Sequence, residues 1–146
     1  MYKLDHSVFI NRSPQEVFDY LADPANTVQW QSGTESAEWI SDGPPGIGSV
    51  YKVGAKFLGR KVETEMEILG WDPPNMLSYK TVNGPIPLKN TTTFEVQGDG
   101  TLLTHSIQTE FGTFFRLAEG LVGKQVEKQV ASDNAALKLL LEMGEE

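Results

Sequence analysis

Residues 34–111 read almost without interruption as β-strand, and the two strong helical patterns stand outside them: a short capped one at 13–22 and a long one near 114–143. A sheet built from such a block has an apolar face that must be covered, and the terminal helix is the element long enough to cover it. The expectation is an α+β fold in which one sheet face packs on that helix, with an interior able to hold a small molecule.

Size and charge narrow this further. A chain of 146 residues suits one domain, expected to run over 1–146. Its net charge of −8, from 12 basic and 20 acidic residues, repels a phosphate backbone, so no nucleic-acid partner is expected. The absence of cysteine removes disulfides, thiolate metal sites and cysteine nucleophiles, and fits a reducing compartment. Residues Met1 to His6 lack an apolar signal core, and no apolar run approaches the roughly 20 residues of a membrane span. A soluble, cytoplasmic protein without a transmembrane segment is the expectation, and the sequons at Asn11 and Asn90 would matter only after secretion.

The N-terminal third is well punctuated. Residues 2–10 alternate as a strand, with Leu4, Val8 and Ile10 opposite Asp5, Ser7 and Phe9. Ser13 caps the helix that follows, Pro14 suits its first position, and Glu16 completes a capping box; Val17, Phe18 and Leu21 form its apolar stripe. Asp23-Pro24 stops that helix, and Pro24 to Trp30 forms a second short one.

The middle of the chain reads as an antiparallel meander. Tyr51, Val53, Ala55 and Phe57 oppose Lys52 and Lys56; Val62, Thr64, Met66 and Ile68 oppose Glu63, Glu65 and Glu67. The lysines and glutamates define a solvated face on which the two strands pair by charge, so the three glutamates are read as surface rather than as catalytic carboxylates. Asp72-Pro73-Pro74-Asn75 forms a turn, and Gly98-Asp99-Gly100 joins strands 88–97 and 101–111 as a hairpin. The glycine-rich stretch Gly43 to Ser49 lacks a Gly-Lys-Ser/Thr ending and leads into a strand, not a helix, so it is a connection and not a phosphate cradle. No cofactor is expected.

In the terminal helix, Val122, Val126, Val130, Leu137, Leu140 and Leu141 share one face, interrupted by Asp133 and Asn134, which are expected at the wet margins of the stripe. Phe114, Leu117 and Leu121 lie on nearly the opposite face, and Gly120 and Gly123 mark the change as a kink, a close approach to the sheet, or room for a ligand.

The capped opening Ser13 to Pro24, Trp30, the Gly43-Pro44-Pro45-Gly46-Ile47-Gly48 connection, the Trp71-Asp72-Pro73-Pro74 turn and the amphipathic terminal helix together resemble the START-related helix-grip (SRPBCC) superfamily, most closely its polyketide cyclase/dehydrase-like branch. The resemblance runs through nearly the whole chain. It implies a curved seven-stranded antiparallel sheet wrapped around the C-terminal helix, two small helices after the first strand, and an apolar or amphipathic ligand between sheet and helix. Members include lipid carriers, hormone and quinone binders and cyclases, without a shared catalytic motif that maps onto numbered positions here.

Alternation assigns the inner face independently. To Tyr51, Val53, Phe57, Val62, Thr64, Met66 and Ile68 it adds Leu77, Tyr79, Leu88, Asn90, Thr92, Phe94, Leu103, His105, Ile107 and Thr109. Six polar side chains on such a face, Thr64, Tyr79, Asn90, Thr92, His105 and Thr109, favour a pocket over a dry core. The expected ligand lining is Trp30, Tyr51, Phe57, Thr64, Met66, Tyr79, Asn90, Thr92, His105, Val126 and Val130. With only His6 and His105 in the chain, and no nucleophile elbow, neither a histidine metal site nor Ser/His/Asp chemistry is supported. The leading reading is a binder or carrier of a small hydrophobic or aromatic, lipid- or polyketide-like ligand. The alternative is a cofactor-free polyketide cyclase/dehydratase using His105, Tyr79 or Asp133 as acid or base. The partner expected is the ligand itself, with homodimerisation left open; a chaperone-associated interaction domain would want a large exposed apolar patch that the pattern lacks.

Overall fold

A computed structural model describes residues 2–57, 59–85, 87–109 and 119–143; the side chains of Phe57 and of residues 119–123 lie outside that description, as do Phe114 and Leu117 of the expected helix start. The elements run β1 (Tyr2–Ile10), α1 (Pro14–Leu21), a 3-10 turn (Pro24–Asn26), α2 (Thr27–Trp30), β2 (Thr34–Trp39), β3 (Val50–Phe57), β4 (Arg60–Asp72), β5 (Met76–Asn83), β6 (Leu88–Gln97), β7 (Gly100–Thr109) and α3 (Glu119–Met143). All seven strands form one antiparallel sheet in the order β1-β7-β6-β5-β4-β3-β2. Strands β2 to β7 are thus a simple meander, and β1 lies beside the last of them. Because β1 and β2 sit at opposite edges, the 11–33 segment carrying α1 and α2 has to cross from one edge to the other. This is the helix-grip arrangement.

Local chemistry accounts for the entry helices. Ser13 Oγ accepts the Glu16 N–H at 3.2 Å while the Glu16 carboxylate accepts the Ser13 N–H at 3.3 Å, closing the capping box. Val17 and Phe18 face inward, and the Phe18 ring meets Trp71 edge-on at 5.4 Å and Phe94 at 5.3 Å. They join Ile10, Trp30, Ile68, Leu77, Leu103 and Leu137 in the core. Trp71 reaches this core because the β4–β5 register shifts between Ile68 and Gly70, a bulge that resets the alternation and sets Trp71 opposite Leu77. At the start of β7, a Cβ on Gly100 would lie 2.5 Å from the Ile10 carbonyl oxygen, so only glycine lets the strands approach there. On the outer face Lys52 pairs with Glu63 at 3.5 Å, the exposed cross-strand pairing expected from the pattern.

Helix α3 docks through its C-terminal half on β1 and the turn after it. Lys138 Nζ donates to the Phe9 carbonyl at 2.7 Å, the Asn11 N–H to Glu142 Oε2 at 2.7 Å, and Arg12 Nη2 to the Glu142 carbonyl at 2.7 Å. This seating corrects the helix face read from the sequence. Asp133 and Asn134 are not at wet margins but are 6 % and 1 % exposed, whereas Leu140, assigned to the apolar face, is 38 % exposed. At about 100° per residue the stripe Val126, Val130, Leu137 and Leu141 is centred so that Asn134 stands about 50° from its middle on one flank and Leu140 about 70° on the other. Docking against β1 rolls the helix toward Asn134 and leaves Leu140 out.

The corrected face has a measurable consequence. Leu137→Ala should cost about 2–5 kcal/mol in urea unfolding, the range for deleting a fully buried leucine side chain, and Leu140→Ala should stay within about 0.5 kcal/mol. Similar losses at both positions would contradict this seating of α3.

Candidate ligand cavity and its buried polar cluster

Strand register assembles a polar row inside an otherwise apolar face. His6 stands opposite His105, His105 opposite Thr92, and Thr92 opposite Leu77; in the neighbouring row Asn90 stands opposite Tyr79. Asn90, Thr92 and His105 are all buried. Asn90 Nδ2 donates to the Tyr79 hydroxyl at 3.0 Å and to Thr92 Oγ1 at 3.0 Å, and Thr92 Oγ1 lies 2.9 Å from His105 Nδ1. Asn90 Nδ2 also faces His105 Nδ1 at 3.5 Å.

These contacts assign the histidine tautomer. Thr92 Oγ1 already accepts from Asn90, and an amide NH2 faces the same ring nitrogen, so His105 Nδ1 is the acceptor and the Thr92 hydroxyl donates to it. The ring proton then resides on Nε2, a buried atom for which no partner meets full hydrogen-bond geometry, although the Asn134 side chain is close enough to act on the ring as a hydrogen-bond partner. Burial, and after it the nearby His6, push the His105 pKa down from 6.5 to about 4, opposed by a hydrogen bond with the Asn134 side chain. On the far side of the row Asn134 Nδ2 contacts His6 Nδ1 at 2.7 Å.

Beside this row lies a partly open cavity of about 40 Å³. Among the described residues its walls are Leu21, Ala22, Pro24, Thr27 and Trp30 from α1, its C-terminal end, the 3-10 turn and α2, and Trp39, Tyr51, Ile68, Leu77, Tyr79, Thr92 and His105 from the sheet. Trp30 stacks over His105 with ring centres 6.3 Å apart and planes 16° apart, and Tyr51 meets Trp39 and Tyr79 edge-on at 5.6 and 6.0 Å. A volume of this size holds about two or three waters. Burial, then the neighbouring Tyr79, drive the Tyr51 pKa well up; burial also raises that of Tyr79, against the pull of the Asn90 hydrogen bond. Both phenols are therefore neutral at physiological pH. A larger depression of about 470 Å³, bordered by Pro14, Pro74, Asn75 and residues 93–96, is an open surface groove that none of the expected site residues lines.

Of the lining expected from the sequence, the structure brings Trp30, Tyr51, Tyr79, Thr92 and His105 to this cavity, with Asn90 directly behind Tyr79 and Thr92. Met66 is buried elsewhere, its sulfur accepting from the Thr81 hydroxyl at 3.5 Å, and Thr64 stands farther along β4 opposite Val53. Val126 and Val130 are half-buried on α3 and are not among the cavity walls; the Phe57 side chain lies outside the described residues. The cavity thus sits under α1 and α2 rather than under the middle of α3. Asp133 is also away from it: its Oδ1 accepts from the Ser32 N–H at 3.1 Å and hydroxyl at 2.8 Å, while Gln129 Nε2 donates to the Ser32 carbonyl at 3.0 Å. These three bonds clasp the turn after α2 to α3. Burial raises the Asp133 pKa, opposed by both Ser32 bonds. The participant missed from the sequence is His6, although it shares the even-numbered parity of Leu4, Val8 and Ile10 and so was legible as inward-facing. Among the described residues no group of three or more histidine, cysteine, aspartate or glutamate side chains converges as a metal site.

The His105 environment predicts a pH dependence of stability. Above about pH 6.5, the ordinary histidine value, folded and unfolded chains are both neutral at this position and the contribution is fully present. As pH falls from 6.5 to about 4 the unfolded chain binds a proton that the folded chain refuses, so stability is lost. The loss should approach about 3 kcal/mol. Chemical denaturation of His105→Gln across this range should show a flatter profile than wild type; an unchanged slope would mean that His105 is not buried as a neutral ring.

Comparison with known proteins agrees with this architecture. A protein from Thermus thermophilus superposes with a TM-score of 0.85 at 21 % identity, covering 99 % of this chain and 100 % of the other. The Zhui aromatase/cyclase from Streptomyces sp. R1128 gives 0.77 at 18 % identity, covering 97 % and 93 %. The Aha1 dimer from Colwellia psychrerythraea gives 0.68 at 15 % identity, covering 100 % of both chains. At these identities the likeness extends to the fold. No curated protein matches the sequence significantly. Over residues 1–142 the sequence matches the family described as polyketide cyclase/dehydrase and lipid transport, and with the seven-stranded helix-grip architecture in place the chain belongs to that family.

Proposed function

We propose that the protein binds or carries a small hydrophobic or aromatic ligand in the cavity between the sheet and the α1–α2 cover, with the Tyr79–Asn90–Thr92–His105 cluster orienting its polar end. The observation that carries this reading is a largely apolar hollow whose wall includes the buried polar side chains Tyr79, Thr92 and His105 and the tryptophan Trp30, whose indole N–H has no partner. A ligand larger than two or three waters enters by displacing the cover, which the Ser32 clasp to Asp133 and Gln129 holds shut. The family's description, which names lipid transport beside cyclase and dehydrase activity, is compatible with such a role. The cysteine-free composition supports a cytoplasmic site of action. Among the described residues no helix is long and apolar enough to cross a membrane.

The chemistry of the three acid/base candidates favours binding over turnover. His105 has its Nδ1 lone pair engaged by Thr92 and is driven toward the neutral form, so it is poorly suited to abstract a proton. Tyr79 is held protonated by burial, and Asp133 is committed to Ser32. A cofactor-free cyclase or dehydratase remains the second reading through the Zhui aromatase/cyclase likeness and the family description.

Nile red should bind the purified protein saturably at about one site, and native mass spectrometry of protein from its own host should show a co-purifying mass. Ala22→Leu, which grows into the cavity, should weaken the probe about ten-fold, while Val126→Trp on α3 should leave it unchanged. The reverse pattern would place the site beneath α3. Turnover of a polyketide-like substrate that collapses in His105→Gln, with folding and binding retained, would promote the enzymatic reading.

A further inference from the structure

Asn134 of α3 meets both of the chain's histidines. His6 on β1 stands directly opposite His105 on β7, and Asn134 Nδ2 lies 2.7 Å from His6 Nδ1. The effect of the same side chain on the His105 ring is that of an acceptor, which assigns its oxygen to the Nε2–H. An amide NH2 only donates, so His6 Nδ1 accepts and His6 is neutral in this arrangement. Hydrogen bonds therefore run one way through the row: Asn134 gives to His6, His105 gives to Asn134, and Thr92 gives to His105 Nδ1. The middle link is the weak one, since neither Asn134 Oδ1 nor His105 Nε2 meets full hydrogen-bond geometry although both are buried.

His6 is half-buried and His105 only 7 % exposed, so a proton from solvent reaches His6 first. On Nδ1 that proton would set donor against donor at 2.7 Å. The carboxylates of α3 on this side are engaged elsewhere: Asp133 by Ser32, Glu127 by the Tyr2 hydroxyl, and Glu142 by Lys138. On β7 the group opposite is His105, and Asp5 of β1 points to the other face. The acceptor at hand is Asn134 Oδ1, which a half-turn of the amide brings to His6. We propose that His6, Asn134, His105 and Thr92 form a proton-sensitive relay: protonation of His6 turns the Asn134 amide over, Nδ2 is then offered to His105 Nε2, and the His105 ring proton moves to Nδ1, where Thr92 Oγ1 accepts it. The row takes up one proton in all, held by His6; His105 gives up its Nε2 proton and receives one at Nδ1 by exchange with water, and stays neutral. Asn90 Nδ2, 3.5 Å from His105 Nδ1, opposes the reversal, so the reversed row forms only when the charge on His6 drives it. Thr92, relieved of its donation, is left with a hydroxyl hydrogen to give at the cavity wall it lines. The hydrogen-bonding character of that wall thus follows the charge on a histidine that is not among its described residues, whatever the cavity holds.

The test is long-range 1H–15N correlation spectroscopy of the full chain, labelled at histidine, as pH is lowered from about 8 to about 5, the window in which histidines charge. This range stays above the value of about 4 at which His105 itself charges. The 15N shifts report which ring nitrogen carries the proton, and His6→Gln and His105→Gln assign the two sets of signals. At the top of the range His105 is expected with its proton on Nε2. As His6 charges, the His105 signals should pass to the Nδ1–H form with the same midpoint while the ring remains neutral. Asn134→Leu should uncouple the two, His6 charging while His105 keeps one form. Thr92→Val removes the acceptor of the reversed row, whereas Asn90 can still donate in the original one, so it should weaken proton uptake by His6 about three-fold. If Asn134→Leu does not fold, the wild-type series and Thr92→Val decide. The relay is overturned by a His6 that stays neutral to the end of the range, or by a His105 ring that keeps Nε2–H or becomes doubly protonated as His6 charges. A tautomer change that survives in Asn134→Leu, or His6 proton uptake untouched by Thr92→Val, overturns it equally.

Discussion

The fold turns on a mismatch of widths. Seven strands spaced about 4.8 Å apart make a sheet close to 30 Å across, and a helix with its side chains is only about 10 Å wide. One helix cannot cover that face. Helix α3 seats against β1 at one edge, held there by Lys138, Asn134 and Glu142, and the remaining apolar surface needs a second cover. The crossing segment with α1 and α2 supplies it, since it must travel between the two edge strands in any case. Phe18 and Trp30 press into the sheet from this side, and the space they leave unfilled, beside Leu77 and Tyr79, is the cavity.

Covering the face in two pieces also explains where polarity is tolerated. A buried polar group is costly unless paired, and the sheet pairs its own by register: Asn90 bridges Tyr79 and Thr92, Thr92 engages His105, and His105 stands opposite His6, which in turn meets Asn134 of α3. The pairing is incomplete on the cavity side. There the indole N–H of Trp30 is left unmet, an arrangement that a solid core would not sustain without a water or a ligand.

The same network limits chemistry. A histidine useful as a base near neutral pH needs a free lone pair and a pKa near the working range. His105 has neither: its accepting nitrogen faces Thr92, and burial beside His6 holds its pKa to about 4. What it retains is a fixed N–H direction. Under the proposed binding role, rigid polar groups set in an apolar wall would orient a ligand by pairing.

Much of this was legible in the chain itself. Ser13, Pro14 and Glu16 determine the start of α1 through interactions within four residues; the alternation of Tyr51, Val53 and Met66 against lysines and glutamates determines two strands and their wet face; and Gly98-Asp99 marks the last hairpin. The inward set Tyr79, Asn90, Thr92 and His105 followed from the same period of two, because strand parity is a local property. His6 carried that signal too. What only the tertiary structure decided depends on where one element lands on another. The seating of α3 on β1 buried Asn134 and exposed Leu140, although both flank the same stripe, because a helix presents its period without its rotation. The bulge before Gly70 turned Trp71 inward, and the crossing of α2 put the cavity beneath Trp30 instead of beneath Val126 and Val130. Sequence periodicity sets which residues share a face; the distance and angle between faces, and hence the place left empty, arise only when all of them pack at once.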